Sequence, residues 1–137
     1  MIKFSKKVEY ALIALVHMSK KPAGELTTAR ELSDKFAISL ELMGKILQRL
    51  AQEKLIISVQ GVKGGYFLAK KIEAITVGHI IKIIDGAIRL SDCVDKANPK
   101  RCERFDNCLI KNPVQNMQNQ VYSLFDGISL KDFQQTA

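Results

Sequence analysis

The three cysteines, Cys93, Cys102 and Cys108, fall within sixteen residues of a 137-residue chain, and no other position carries a thiol. Their spacing is C-x8-C-x5-C, in a segment that is polar, charged and broken by Asn98-Pro99. No hydrophobic period runs through Cys93 to Cys108, so it reads as a loop. Thiolates gathered in one loop are soft ligands, suited to iron–sulfur clusters, zinc or cuprous copper. Structural zinc prefers four closed nitrogen or sulfur ligands, often at C-x2–4-C spacing, and this loop has neither. A switch of bare thiols and plain unliganded thiols are the other readings. An odd cysteine count without a secretory context argues against a disulfide framework.

Such a loop needs rigid neighbours, and the flanking sequence predicts helices on both sides. Residues 5–20 place Val8, Ala11, Leu12, Leu15 and Val16 on one helical face, with Ser5 able to cap the start. Pro22-Ala23-Gly24 then breaks the chain. Thr28-Ala29-Arg30-Glu31 is a capping box, in which Thr28 bonds forward and Glu31 reaches back. It opens a short helix to about Phe36, with Ala29, Leu32 and Phe36 inward. Ser39 caps a third helix to about Lys54. Its buried face is Met43, Ile46, Leu47 and Leu50, while Glu41, Lys45, Gln48 and Gln52 point the other way.

Two short helices joined by a tight turn form a helix-turn-helix, whose second helix enters the major groove. Leu55 to Val59, a glycine-rich turn over 60–65 and Tyr66 to Ala69 then predict a hairpin, which after a helix-turn-helix is a wing. Thr76 starts a fourth helix that carries Val77, Ile80, Ile81 and Ile84 on one face, and Gly86 stops it. Beyond the cysteines, Asn112-Pro113 reads as a cap followed by proline at the first helical position. Val114, Met117, Val121, Leu124 and Phe125 make a narrow stripe resembling a coiled-coil seam. A helix cannot bury such a stripe alone, so a homodimer is expected. Ser129 to Asp132 can cap a final short turn. The predicted fold is mainly α with a small β-hairpin wing. Residues 1–75 form a winged helix-turn-helix, and residues 76–137 hold the cysteine loop and a long dimerisation helix.

Charge separates the same two halves. The chain carries a net charge of +7 and a pI near 9.4. Residues 1–75 hold 13 Lys+Arg against 7 Asp+Glu, whereas residues 76–137 hold 8 against 7. A basic half containing a capped helix-turn-helix and a wing predicts double-stranded DNA as the partner. The candidate DNA-facing residues are Thr28, Ser39, Leu40, Glu41, Gly44, Lys45, Gln48, Arg49, Gln60, Lys63 and Gly64. No apolar stretch approaches the ~20 residues of a membrane span. The short apolar run near the N-terminus has helical phase rather than the form of a signal peptide, so a cytoplasmic protein is expected. No nucleophile–base set, phosphate-binding loop or dinucleotide fingerprint occurs, so an enzyme is not expected. An iron–sulfur electron carrier would have no use for the basic winged half.

With these elements placed, the chain resembles the Rrf-two family of bacterial winged-helix regulators, in its IscR-, NsrR- and RirA-like cluster-binding branch. Lys3-Phe4-Ser5 with Tyr10-Ala11-Leu12 resembles the family's first-helix signature. Ile38-Ser39 with Met43 and Ile46-Leu47 resembles its recognition helix. Gly61-Val62-Lys63-Gly64-Gly65-Tyr66 with Leu68 resembles its wing. Ile75-Thr76-Val77-Gly78 with Ile80-Ile81 and Asp85-Gly86 is similar to its fourth helix, and Ile128-Ser129-Leu130 with Asp132 to its closing motif.

The resemblance implies a dimeric repressor or activator in which Cys93, Cys102 and Cys108 hold an iron–sulfur cluster that reports iron, redox or nitric oxide status. Three thiolates leave one ligand to supply, because the common clusters take four. Glu9 looks aligned with the first-helix carboxylate that NsrR-like members present across the dimer. Asp92, Asp95, Asp106 and water are its rivals. Lys111 stands where IscR carries a histidine, which tilts the expectation towards a four-iron over a two-iron cluster. Gln60 stands where members often carry a wing arginine. A regulator of the same fold without a cluster, switched by thiol oxidation or a partner protein, is the alternative.

Overall fold

The computed structural model describes residues 3–90, 103–104 and 106–134. Cys93 and Cys102, with Asp92 and Asp95, lie outside these residues. The described chain is mainly helical with one small sheet. Its elements run α1 (Lys6–Ser19), α2 (Ala29–Phe36), α3 (Leu40–Gln52), β1 (Ile56–Val59), β2 (Gly65–Leu68), a 3-10 turn (Ile72–Ala74), α4 (Val77–Asp85), α5 (Lys111–Asp126) and α6 (Leu130–Gln134).

Four hydroxyl caps set the helix starts. Ser5, Thr28, Ser39 and Thr76 each accept a hydrogen bond from the backbone N–H three residues on. Each satisfies a donor that has no partner inside its helix, a contribution of about 1 kcal/mol. The capping box at Thr28 is only half built. Glu31 turns its carboxylate to Lys21 (2.7 Å) and to His17 Nε2 (2.5 Å) rather than back to Thr28. Partial burial opposes the charge on Glu31. The hydrogen bonds and positive charge of Lys21, with those of His17, outweigh it and hold the carboxyl below its ordinary range. This carboxylate pins α2 to the last turns of α1. His17 also meets the Phe36 ring edge-on at 5.6 Å.

One apolar core joins the two halves. Val8, Leu15, Leu32, Met43, Leu47, Leu50, Leu55 and Ile56 are buried with Ile75, Val77, Ile80 and Leu130. On α4, Val77, Ile80 and Ile81 are buried as predicted, Ile84 is half-buried against the same core, and Ile83 is buried as well. The start of α6 is stitched to the start of α4. Val77 N–H donates to the Ile128 carbonyl (2.8 Å), and Leu130 N–H donates to the Ile75 carbonyl (3.0 Å).

The sheet pairs β1 with β2 antiparallel, from Ile56 opposite Leu68 to Val59 opposite Gly65. A third strand position was not anticipated. Thr27 exchanges both backbone hydrogen bonds with Tyr66, at 2.9 and 2.8 Å, so the wing is anchored on its far side as well.

The long helix departs most from expectation. It begins at Lys111, so Pro113 occupies the third helical position. The ring is tolerated there because the first-turn N–H groups have no intrahelical acceptor. The five-residue stripe divides. Val114 is buried, Val121 and Phe125 are half-buried, and the buried residue between them is the polar Gln118. Met117 (49% exposed) and Leu124 (61%) face outward, in a seven-residue line with Ile110 (59%).

Candidate nucleic-acid interface and cysteine stem

The recognition element is built by the turn between α2 and α3. Ala37 adopts the left-handed conformation at φ 54, and Ser33 Oγ donates to the Ile38 carbonyl at 2.5 Å. Met43, Ile46, Leu47 and Leu50 lock one side of α3 into the core. The opposite side presents Leu40, Glu41, Lys45 and Gln48 as exposed residues. Lys45 lies 3.3 Å from Glu41, but both side chains are more than two-thirds exposed, and an exposed ion pair holds its partners weakly. Lys45 can leave Glu41 for a phosphate at small cost. Gly44 lies on this helix with nothing within 4 Å of where a Cβ would stand. A mid-helix glycine costs roughly 1 kcal/mol relative to alanine, and nothing inside the chain requires it.

The wing lies beside this helix. Thr28, Gln48, Gln60 and Gly64 line one groove of about 630 Å³ between the start of α2, α3 and the hairpin. Gln60 Nε2 donates to Ser58 Oγ at 2.9 Å. Gly64 is required by space, because a Cβ there would sit 2.1 Å from the Val59 carbonyl oxygen. Val62 and Lys63 stand exposed at the tip. Arg49 is placed differently from the rest of the candidate set. Its Nε donates to the Ile83 carbonyl at 3.2 Å, and its guanidinium reaches Gln52 and Glu53, each at 3.4 Å.

The described part of the cysteine region begins at its stem. Gly86 ends α4 at φ 88, with open space around it, so the glycine is needed for conformation rather than for room. Residues 87–90 then run as an irregular strap along α5. Tyr122 Oη accepts from Ile88 N–H at 2.8 Å. Gln118 Oε1 accepts from Leu90 N–H at 2.9 Å, and Gln118 Nε2 donates to the Ile88 carbonyl. Sequence reasoning missed both residues, because a lone Gln and Tyr on a helix carry no spacing signal. The only hint was a polar residue falling between Val114 and Val121.

Glu9 stands in the first turn of α1, 3.2 Å from Lys6. It lines a cavity of about 540 Å³ together with a second carboxylate, Asp85, with the basic Lys3 and Arg89, and with Ile88 and Leu90 of the strap. Cys108 is half-buried two residues before the N-cap of α5. Among the described residues no three His, Cys, Asp or Glu side chains converge as a metal site. Of the predicted ligand set the described residues are Cys108 and Glu9, a sulfur and an oxygen donor, and both donor types are compatible with cluster iron. Among the described residues, no helix is long and apolar enough to cross a membrane.

The fold and this interface define a winged helix-turn-helix protein, and comparison with known proteins agrees. The solved structure of CymR (YrzC), the global cysteine regulator of B. subtilis, superposes with a TM-score of 0.77 at 23% identity, covering 100% of this chain and 99% of that one. An HTH-type transcriptional regulator NsrR from Oceanobacillus iheyensis is 26% identical over 127 residues, 93% of this chain and 86% of the relative. A protein of Aquifex aeolicus, provisionally named as an HTH-type transcriptional regulator, is 30% identical over 131 residues, 94% of this chain and 89% of the relative. The family model described as "Rrf2: Iron-dependent Transcriptional regulator" matches residues 4–136. The chain belongs to this family. It is a DNA-binding transcriptional regulator and not an enzyme.

Proposed function

We propose that this regulator senses iron, redox or nitric oxide status through an iron–sulfur cluster held by Cys93, Cys102 and Cys108, with Glu9 as the fourth ligand. The observation that carries this reading is the confinement of every thiol in the chain to one sixteen-residue segment. When bound, the cluster supplies a centre that iron loss, oxidants or nitric oxide can change. Glu9 is a hard oxygen donor poorly matched to cluster iron, so its corner is the labile one. In a homodimer assembled through the outward line of α5, Glu9 would come from the partner subunit. The missing histidine at Lys111 favours four iron atoms over two.

The division of labour follows the charge. Residues 1–75 hold the duplex and residues 76–137 sense and dimerise, in the cytoplasm. Lys45 and Lys63 contact phosphates, Gln48 reads base edges, and Gly44 and Gly64 admit close approach. Thr28, Ser39, Leu40, Glu41 and Gln60 complete the DNA-facing surface. Anaerobic purification with iron and sulfide counts and an absorption spectrum tests the cofactor. Matched iron and sulfide in a coloured protein is the expected result, and a Glu9→Ala variant should lose cluster faster. A colourless, iron-free protein after anaerobic reconstitution would transfer the sensing role to the thiols themselves. The likeness to a regulator of cysteine supports that second reading, a cluster-free protein switched by thiol oxidation or a partner protein.

A further inference from the structure

We infer that Gln118, Tyr122 and Arg49 form a linkage that transmits the position of the cysteine stem to the recognition helix, with Arg49 acting as a positioning residue and not as a phosphate ligand. The inference rests on the DNA-binding assignment and on the strap's continuity with Cys93. It does not depend on any cofactor.

The linkage has two ends. At the sensory end, Gln118 is only 4% exposed, and both halves of its amide are spent on the strap. Tyr122 takes the Ile88 N–H, and Lys82 of α4 lies 5.0 Å above the Tyr122 ring. Three hydrogen bonds therefore fix a four-residue segment that would otherwise have no regular structure. A buried Gln is costly to retain unless both its polar groups are paired. Its presence in an otherwise apolar line marks the strap as something α5 is built to hold.

At the reading end, Arg49 belongs to α3, one residue beyond Gln48. Its Nε donates to the Ile83 carbonyl in the last turn of α4. That carbonyl is among the four that α4 cannot satisfy internally, and a cation is favoured at a helix C-terminus. The strap leaves α4 only three residues later, through Gly86. Displacing the strap therefore displaces the end of α4, and the tie at Arg49 carries that displacement into α3.

The test is a double-mutant cycle on the full chain, using a duplex that the wild-type protein selects from a randomised pool. Tyr122→Phe removes one hydroxyl, and Gln118→Glu keeps the shape but replaces the donor to the Ile88 carbonyl with a carboxylate oxygen. Each is expected to weaken binding about fivefold in the wild-type background and to have no further effect beside Arg49→Met, the non-additivity expected of coupled sites. Arg49→Met itself should leave the salt slope of binding unchanged, whereas Lys63→Ala should lower it by about one. Equal factors in both backgrounds, or no effect of Tyr122→Phe, would overturn the linkage. So would a slope lowered by about one in Arg49→Met. If Gln118→Glu fails to fold, Tyr122→Phe decides alone. Failure of the wild-type protein to select any duplex would remove the DNA assignment and the linkage with it, while iron and sulfide counts decide the cofactor separately.

Discussion

The wing and the strap are both short segments held by distant parts of the chain, but by different kinds of bond. In the wing, β2 is held by backbone pairing, to β1 on one side and to Thr27 on the other. The strap is held by side chains, two residues of α5 reaching its backbone. A ladder spreads its hold over many equivalent bonds that no single side-chain change removes. A side-chain clamp concentrates its hold in one or two residues and can release as a unit. The first arrangement suits a surface that keeps its shape against DNA, and the second suits the transmitting segment inferred above.

The sharpest way to break this contrast is at Gly64. A methyl group there meets the Val59 carbonyl at 2.1 Å, a backbone atom that cannot step aside. Gly64→Ala should cost about 3 kcal/mol, near the upper end for overpacking, and should abolish DNA binding. Near wild-type stability in urea would show that the wing yields. Gln118→Leu should cost about 2 kcal/mol by leaving Leu90 N–H and the Ile88 carbonyl unpaired. Hydrogen exchange should rise at residues 87–90 while the wing stays protected, and a rise in both would erase the distinction. Gly44→Ala should act with opposite signs, stabilising the fold by about 0.5 to 1 kcal/mol while weakening DNA binding. Weakened folding would place the role of Gly44 inside the chain.

The smallest effect concerns pH. Because the folded-state pKa of Glu31 is depressed, its contribution is present above the unfolded carboxyl pKa. It is lost as pH falls through the folded value. A pH series of denaturation curves should be flatter on the acid side for Glu31→Gln than for the wild type. Parallel curves would remove Glu31 from the tie between α1 and α2.

The same contrast explains what could be read from sequence. The caps at Ser5, Thr28, Ser39 and Thr76, the core of α3 and the hairpin follow from local chemistry, and the fold was legible through them. Gly64 and Gly65 marked the wing before its crowding at Val59 was visible. The pairing of Thr27 with Tyr66 was not legible, because one strand residue between a turn and a capped helix leaves no periodic trace. The capping box at Thr28 misled, since a tertiary ion pair with Lys21 and His17 won Glu31 from its local role. Gln118 carried no signal of its own in the sequence. Only the path of the strap shows it as an inward residue with two backbone partners. Arg49 flanks the predicted DNA-facing side of α3, and nothing local announced its bond to the Ile83 carbonyl.

Leu130 carries a consequence for how the protein is made. It is fully buried in the core that supports the recognition helix, and its N–H is bonded to Ile75. During synthesis the N-terminal half leaves the ribosome first. It must wait for a residue near the far end of the chain before its core is complete. A chain made only as far as α4 therefore has an unfinished core beneath its recognition helix, and Leu130 is one of the residues that completes it.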